Sequence, residues 1–556
     1  MKKFLVFLVA IVVVVCIGLT TYYFLRNDEA IDFKTKEIYC NVGDVITLDD
    51  LGYTVFKEHK DTTYNFNAGG EEVTQFINYN EDRGYYVANK GGEVNLLITT
   101  TNEKYAEFNI TVHIGDGSVA NPYYIDSQSD LQKIGDTYAL NANYTLRTDI
   151  TLSNDFRPIG YSYAVETYLG FSGVFNGNGH TISSLNLTGT EYANAGLFTT
   201  LNAGSVVTDL NIKDVEISGA YQTAGALAGT VNGTVSRVQA VNVNIANTMN
   251  NSKTGALIGS LSGENSTLTI SSVQDAVLTI GTAPTAENPT VSTITGIAGG
   301  LVGEIDKAKV QATFADTEIS LYNASGDIGG FAGKLIIGTN SGSIQESYSV
   351  STSTYANFGS FIGTIEKDGS FVAENANQLR HLVGNYVLAS SGNVVNSYDD
   401  TFFTRGFYNE ADGIYFIVQF NNLADMANNT EYVFYAIDQN TKTYWDNSAW
   451  NIIIGSLPRL RMTNANLSSI SSEYFLKDLE EETIGTPDND GETNAELFMQ
   501  FIEDCLDADG AIVNKKYVLG GDVDLTGVDW TPIELKNSII DGNGYKITGL
   551  NLTNHT

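Results

Sequence analysis

Apolar and polar residues recur at a fixed interval through the middle of the chain. Five-residue apolar segments edged by glycine begin at Ala195 (AGLFT), Gly225 (GALAG), Gly255 (GALIG), Gly299 (GGLVG), Gly329 (GGFAG) and Gly359 (GSFIG), so their starts lie 30, 30, 44, 30 and 30 residues apart. Each is followed by an alternating run such as GSVVTDLNI (204–212), GTVSRVQAV (233–241), STLTISSVQ (266–274) or GSIQESYSV (342–350), which marks one inward and one outward face of a strand. Two or three short strands in a 30-residue unit cannot bury a face alone, so the units must stack. The pattern predicts a parallel β-helix with coils about 4.8 Å apart. Leu197, Leu227, Leu257, Leu301, Phe331 and Phe361 would then form one internal column, with the flanking glycines where no side chain has room. The long interval holds TIGTAPTAENPTVSTIT (279–295), polar and with two prolines, which predicts a loop of about 14 extra residues in one repeat.

On either side the pattern changes. Between 31 and 114 come short alternating runs, among them EIYCNV, YYVA, EVNLLITTT and AEFNITVHI, separated by the turn clusters NVGD, NAGG and NKGG, which reads as a small β-sandwich. Ahead of it, Lys2 and Lys3 precede an unbroken apolar run of 22 residues, 4–25, long enough to cross a bilayer as a helix with the bulk of the chain outside. A cleaved signal peptide, giving a secreted protein, is the alternative, but no small-residue cleavage site ends the run. Cys16 lacks the small residue usual before a lipidated cysteine. After Gly363 the period fades, and YWDNSAWNIIIGSLPRLRM, with Trp445, Trp450 and Pro458, reads as a closing cap. The acidic LEEETIGTPDNDGETN beyond it reads as a linker.

Composition narrows the class. With 54 Gly, 7 Pro, 31 Tyr and 26 Phe the chain suits short strands and tight turns, hence an all-β fold. Its 65 acidic against 30 basic residues give a net charge of −35, which repels phosphate backbones and disfavours nucleic acid as a partner. Cys16, Cys40 and Cys505 are too scattered for a disulfide framework.

The Gly-Leu-x-Gly segments, best seen in GGLVG at 299–303, resemble the GLUG-motif family of bacterial surface proteins. The opening also resembles that family's: NPYYIDSQSDLQKIG (121–135), NYTLRTDITL (143–152), RPIG (157–160) and GVFNGNGHTISSLNL (173–187). AGLFT departs from it by placing Thr199 where glycine is usual. The runs between 31 and 114 are similar in pattern to bacterial immunoglobulin-like modules. The resemblance implies right-handed parallel β-helices in large exported proteins, including adhesin-like proteins and the N-terminal parts of zinc peptidases that cleave immunoglobulin A. A second opening follows near the C-terminus, where KKYVLGGDVDLTG (515–527), WTPIE (530–534) and IIDGNGYKITGLNLTN (539–554) repeat the first. It stops where a first Gly-Leu-x-Gly coil should follow, so the expectation is a chain that continues.

No motif carries chemistry. His59, His113, His180, His381 and His555 stand far apart, none lies in a His-Glu-x-x-His helix, and the second copy puts Tyr545 at the place of His180. DCLDADGAIVNKK and TPDNDGETNAEL each fail two ligand positions of the helix-loop-helix calcium site. Asp149, Asp155, Asp209 and Asp214 do not recur in a glycosidase-like pattern. We therefore assign no catalytic, cofactor-binding or metal-binding residue and expect no enzyme within 1–556. The expected organisation is a signal-anchor transmembrane helix (1–28), an immunoglobulin-like β-sandwich (29–116), a GLUG-type parallel β-helix (117–462), an acidic linker (463–493) and the start of a second, incomplete β-helix (494–556). The expected function is structural or adhesive: a single-pass, membrane-held protein presenting an elongated β-helix to an extracellular glycan, cell wall or protein partner. The alternative is the non-catalytic N-terminal part of a larger exported peptidase or carbohydrate-active enzyme, with its catalytic domain beyond residue 556.

Overall fold

The computed structural model describes residues 108–283 save 163, 190 and 191, residues 292–372, and shorter stretches of 31–100 and 381–550. The expected transmembrane helix lies outside the described residues, as do 284–291 of the expected loop and most of the expected linker. Among the described residues no helix is long and apolar enough to cross a membrane. The protein is all-β with long parallel sheets. It forms two compact units, one from residues up to 148 with 173–176, the other from 149–172 with 177 onward.

In the first unit, strands Glu37–Asn41, Phe108–Gly115, Gly92–Thr100 and Tyr64–Asn67 form one sheet, and Val45–Ile46, Tyr85–Ala88 and Ile77–Asn80 another. Period-two alternation sends Ile38, Cys40, Val94, Leu96, Ile110, Val112 and Ile114 into a core shared with Ile46, Ile77, Tyr86 and Ala88. A buried side chain, Asn41, ties this sheet to the segment that follows. Asn41 donates through Nδ2 to the Tyr124 carbonyl (2.8 Å) and the Tyr138 hydroxyl (3.1 Å), while its Oδ1 accepts from the Tyr124 amide (2.8 Å). Beyond it, a short helix, Gln128–Lys133, is capped by Ser127, and strands Tyr123–Ile125, Asn143–Leu146 and Val174–Asn176 pair in parallel.

In the second unit the chain visits three parallel sheets in turn and pairs each strand with its counterpart one repeat later. One sheet holds the long strands Val206–Gly219, Thr234–Asn247, Thr267–Gly281 and Lys309–Tyr322; the others contain series such as Thr223–Ala224, Ser252–Gly255 and Ile294–Gly299, and Ala228–Val231, Ile258–Ser262 and Val302–Asp306. This is consistent with a β-helix. Leu197, Leu227, Leu257, Leu301, Phe331 and Phe361 are all fully buried. Their amides bond from coil to coil, Leu227 N to Leu257 O at 3.0 Å and Leu301 N to Phe331 O at 2.9 Å, and the Phe331 and Phe361 rings stack at 4.8 Å. The column expected from the repeat is present.

The flanking glycines are fixed by backbone crowding. A Cβ on Gly255 would lie 2.1 Å from the Ile258 carbonyl oxygen, and one on Gly329 2.0 Å from that of Ala332. Thr199, which breaks the glycine pattern, is accommodated by another glycine. Its hydroxyl lies where a Cβ on Gly160 would sit (2.4 Å), and its amide donates to the Ile159 carbonyl at 2.9 Å.

Each long strand is bent rather than continuous. Inward residues Val207, Leu210, Ile212, Val215 and Ile217 are spaced three, two, three and two apart, because one extra outward residue enters at each bend. Asp209, Arg237, Ile270, Ala312 and Glu346 occupy the first bend in successive coils, all left-handed with φ of 56°, 54°, 47°, 54° and 49°. Ser184, Asp214, Asn242 and Asp275 repeat this at the second bend, with φ of 63°, 56°, 55° and 51°. Such conformations are uncommon outside glycine, and the stacked corners hold them in register.

The tryptophan segment lies against a flank. Phe314, Tyr348 and Tyr386 form an outward aromatic column by register, and Trp445, Trp450, Leu457 and Leu460 pack on it. The Trp445 indole donates to the Gly384 carbonyl at 2.8 Å, and the Tyr348 hydroxyl to that of Pro458 at 3.1 Å. An exposed aromatic row needs covering on its side, which a cap across the coil end would not supply.

The second opening near the C-terminus reproduces the first in its pairings. Ile150 pairs in parallel with Ile182, and Val523 likewise with Ile547. The Asp149 carboxylate accepts from the Thr181 amide at 2.8 Å, and Asp522 accepts from the Lys546 amide at 2.9 Å. The glycine turn of this copy, 542–545, lies outside the described residues.

Candidate functional site: a tyrosine-lined cleft

Between Ile159, which bridges to Phe198, and Phe171, which bridges to Leu201, the chain leaves the stacked sheets as a small hairpin. Tyr161–Ser162 pairs antiparallel with Thr167–Tyr168, an arrangement unlike the parallel strands around it. Two glycines pinch its base. Gly160 and Gly170 have φ of 126° and 78°, and the Gly160 carbonyl accepts from the amides of Leu169 (2.9 Å) and Gly170 (3.0 Å). Asn202 braces the base further, donating to the Leu169 carbonyl (2.9 Å) and the Ser172 hydroxyl (3.0 Å).

Beside this hairpin lies a cleft of about 460 Å³, lined by Asn154, Asp155, Phe156, Arg157, Tyr161, Tyr168 and Tyr192. Tyr168 packs against Tyr161 (5.0 Å, 65° between planes) and against Tyr192 (5.8 Å, 86°), so the three rings face different directions. The Arg157 guanidinium lies over the Tyr161 ring at 4.6 Å. Phe156 is buried, whereas Tyr168 is 36 % exposed. The Ser153 hydroxyl donates to the Asp155 carboxylate. Such a lining can hold a ligand by ring faces and by one cation, one carboxylate and one amide; it contains no nucleophile paired with a base.

The four carboxylates considered from sequence do not converge. Asp149 serves the Thr181 amide and contacts His180 Nδ1 at 3.3 Å; Asp209 pairs with Arg237; Asp214 accepts from Asn242 at 2.7 Å; Asp155 alone lines the cleft. The histidines are equally dispersed. His113 stacks on Tyr39 at 4.3 Å, His381 is buried against the Gly342 carbonyl at 2.7 Å, and His59 and His555 lie outside the described residues. Among the described residues no group of three or more His, Cys, Asp or Glu gathers as a metal site would require. Sequence reading missed the tyrosines of the cleft, although YSYAVETYLGF (161–171), ahead of the first repeat segment, has an aromatic density that a connecting turn does not need.

No family model matches the chain. Halomucin of Haloquadratum walsbyi is 34% identical over 172 residues, which cover 29% of this chain and 2% of halomucin. Among solved structures, an immunoglobulin A1 protease candidate from Bacteroides ovatus matches with a TM-score of 0.31 and 13% identity, over 47% of this chain and 87% of its own. A protein described as IgA1 protease matches with a TM-score of 0.31 and 16% identity, over 57% of this chain and 25% of its own. Likenesses this distant assign no residue here a catalytic role.

Proposed function

We propose that the chain is an extracellular structural or adhesive protein. In this reading a right-handed, GLUG-type parallel β-helix, held out from the cell by the sandwich and membrane-anchored by the apolar N-terminal run, presents its outward face to a glycan, cell-wall or protein partner. The observation that carries the proposal is the in-register parallel stack itself, which exposes rows of side chains at one fixed spacing along several coils. Local similarity to halomucin, a mucin by name, supports a surface or secreted setting. The high negative charge suits such a setting.

The test is to express the full chain, probe intact cells with a protease and a membrane-impermeant label, and screen the purified chain against glycans, cell-wall fragments and matrix proteins. Labelling on intact cells with binding in at least one class is expected. A chain protected inside cells, or blank in all three screens, contradicts the proposal.

A further inference from the structure

We infer that the tyrosine-lined cleft binds a neutral pyranose unit of an extracellular saccharide. The inference deepens the adhesive reading and rests on it for the setting of the ligand. Its size, about 460 Å³, falls in the lower part of the ~300–1,000 Å³ range of small-ligand sites, suited to one or two sugar rings rather than a polymer surface. A pyranose has an apolar C–H face and a rim of hydroxyls. The cleft offers a match for both, with aromatic rings in more than one plane and polar groups of both hydrogen-bonding senses at Asn154, Asp155 and Arg157.

The individual rings have different parts. One face of Tyr161 is occupied by the Arg157 guanidinium at 4.6 Å, which fixes both groups. Tyr168 is the most exposed of the three and is held at right angles to Tyr192, so it is the ring best placed to carry a sugar face. Charge decides against acidic saccharides. The lining includes one carboxylate and one guanidinium, so it carries no net positive charge, and the whole chain carries −35. The base of the hairpin is fixed before binding: its ends bridge to the stacked sheets at Ile159 and Phe171 and Gly160 and Gly170 pinch it, so this part has little order to gain on contact.

The experiment titrates the full chain by calorimetry with neutral hexose and N-acetylhexosamine oligosaccharides, uronic acid oligosaccharides and an aromatic-rich peptide. Variants Tyr168→Ala, Tyr168→Phe and, far along the ladder, the exposed Tyr322→Ala are measured alongside. The expected result is binding of a neutral saccharide, weakened at least about fivefold by Tyr168→Ala but little changed by Tyr168→Phe or Tyr322→Ala. Saturation of the aromatic protons should transfer to the sugar's C–H protons in the unmodified chain, which reports on the contact even if Tyr168→Ala loses stability. Binding confined to uronates or to the peptide, or no neutral saccharide bound, overturns the inference. Neutral-saccharide binding that survives Tyr168→Ala unweakened also overturns it while leaving the adhesive reading intact, since the sugar would then sit elsewhere on the chain.

Discussion

Arg237 grips the carboxylate of Asp209 one coil away, Nε to Oδ1 at 2.6 Å and Nη2 to Oδ2 at 2.8 Å, and both residues occupy the same left-handed corner of the stack. A two-pronged pair of this kind fixes orientation as well as distance. It locks the register of adjacent coils where the backbone is least relaxed. Burial works against the Asp209 carboxylate, but hydrogen bonds from Arg237 and Thr208 outweigh it and hold its pKa below the ordinary aspartate value.

Arg237→Gln should therefore destabilise the stack by about 1–3 kcal/mol in chemical denaturation at neutral pH. Because the folded pKa of Asp209 is depressed, its contribution is present above the unfolded value of 3.8 and disappears as pH falls through the folded value. The difference between the unmodified chain and Arg237→Gln should accordingly shrink in acid. A difference that grows on acidification would show that the pair does not act as described.

The second row of corners inverts the usual order of small residues. Asn242 is exposed, has a φ of 55° and donates to Asp214 at 2.7 Å. Alanine in the left-handed region is strained by about 1–2 kcal/mol, whereas glycine is not. Asn242→Gly should melt above Asn242→Ala, and the opposite order would mean that the corner relaxes.

Buried columns set larger costs. Leu257→Ala should lose about 2–5 kcal/mol, because its fully buried side chain leaves a void between rigid coils. Gly329→Ala, whose Cβ would meet the Ala332 carbonyl oxygen at 2.0 Å, should lose more than about 3 kcal/mol, while Gly369→Ala, with nothing within 4 Å, should be silent. Equal melting of the two glycine variants would place Gly329 in open space.

The second opening near the C-terminus offers a paired comparison. Asp149→Ala and Asp522→Ala each remove the acceptor of a backbone amide, at 2.8 Å from Thr181 and 2.9 Å from Lys546. Hydrogen exchange should speed up at the Thr181 amide in the first variant and at the Lys546 amide in the second. Unchanged exchange at either site would deny that the two openings share one design.

The stack was legible because its physics is periodic. Leu227, Leu257 and Leu301 must meet the same neighbours in each coil, so their spacing in sequence reports their place in space. The corners at Asp209 and Arg237 were hidden, since left-handed φ is imposed on quite different side chains by stacking and leaves only a doublet of outward residues in the alternation. The tyrosine cleft was hidden for the opposite reason. Tyr161 and Tyr168 stand on a hairpin outside the repeat and Tyr192 lies ahead of its first segment, so periodicity says nothing of them. Trp445 and Trp450 read as bulky closing residues, but which side they cover depends on an aromatic column that only the register assembles.

In-register parallel stacking underlies both the presented face and the placing of the cleft, and a single distance tests it. Asn186, Glu216, Asn244, Val277, Glu318 and Thr352 occupy one row in successive coils by register. At about 4.8 Å per step, positions 186 and 352 lie roughly 24 Å apart along the stack. Spin labels at Asn186→Cys and Thr352→Cys, with the native cysteines replaced, should give a narrow distance distribution centred near that value within the reach of the label arms. A broad distribution, or one centred beyond roughly 40 Å, would contradict the stack.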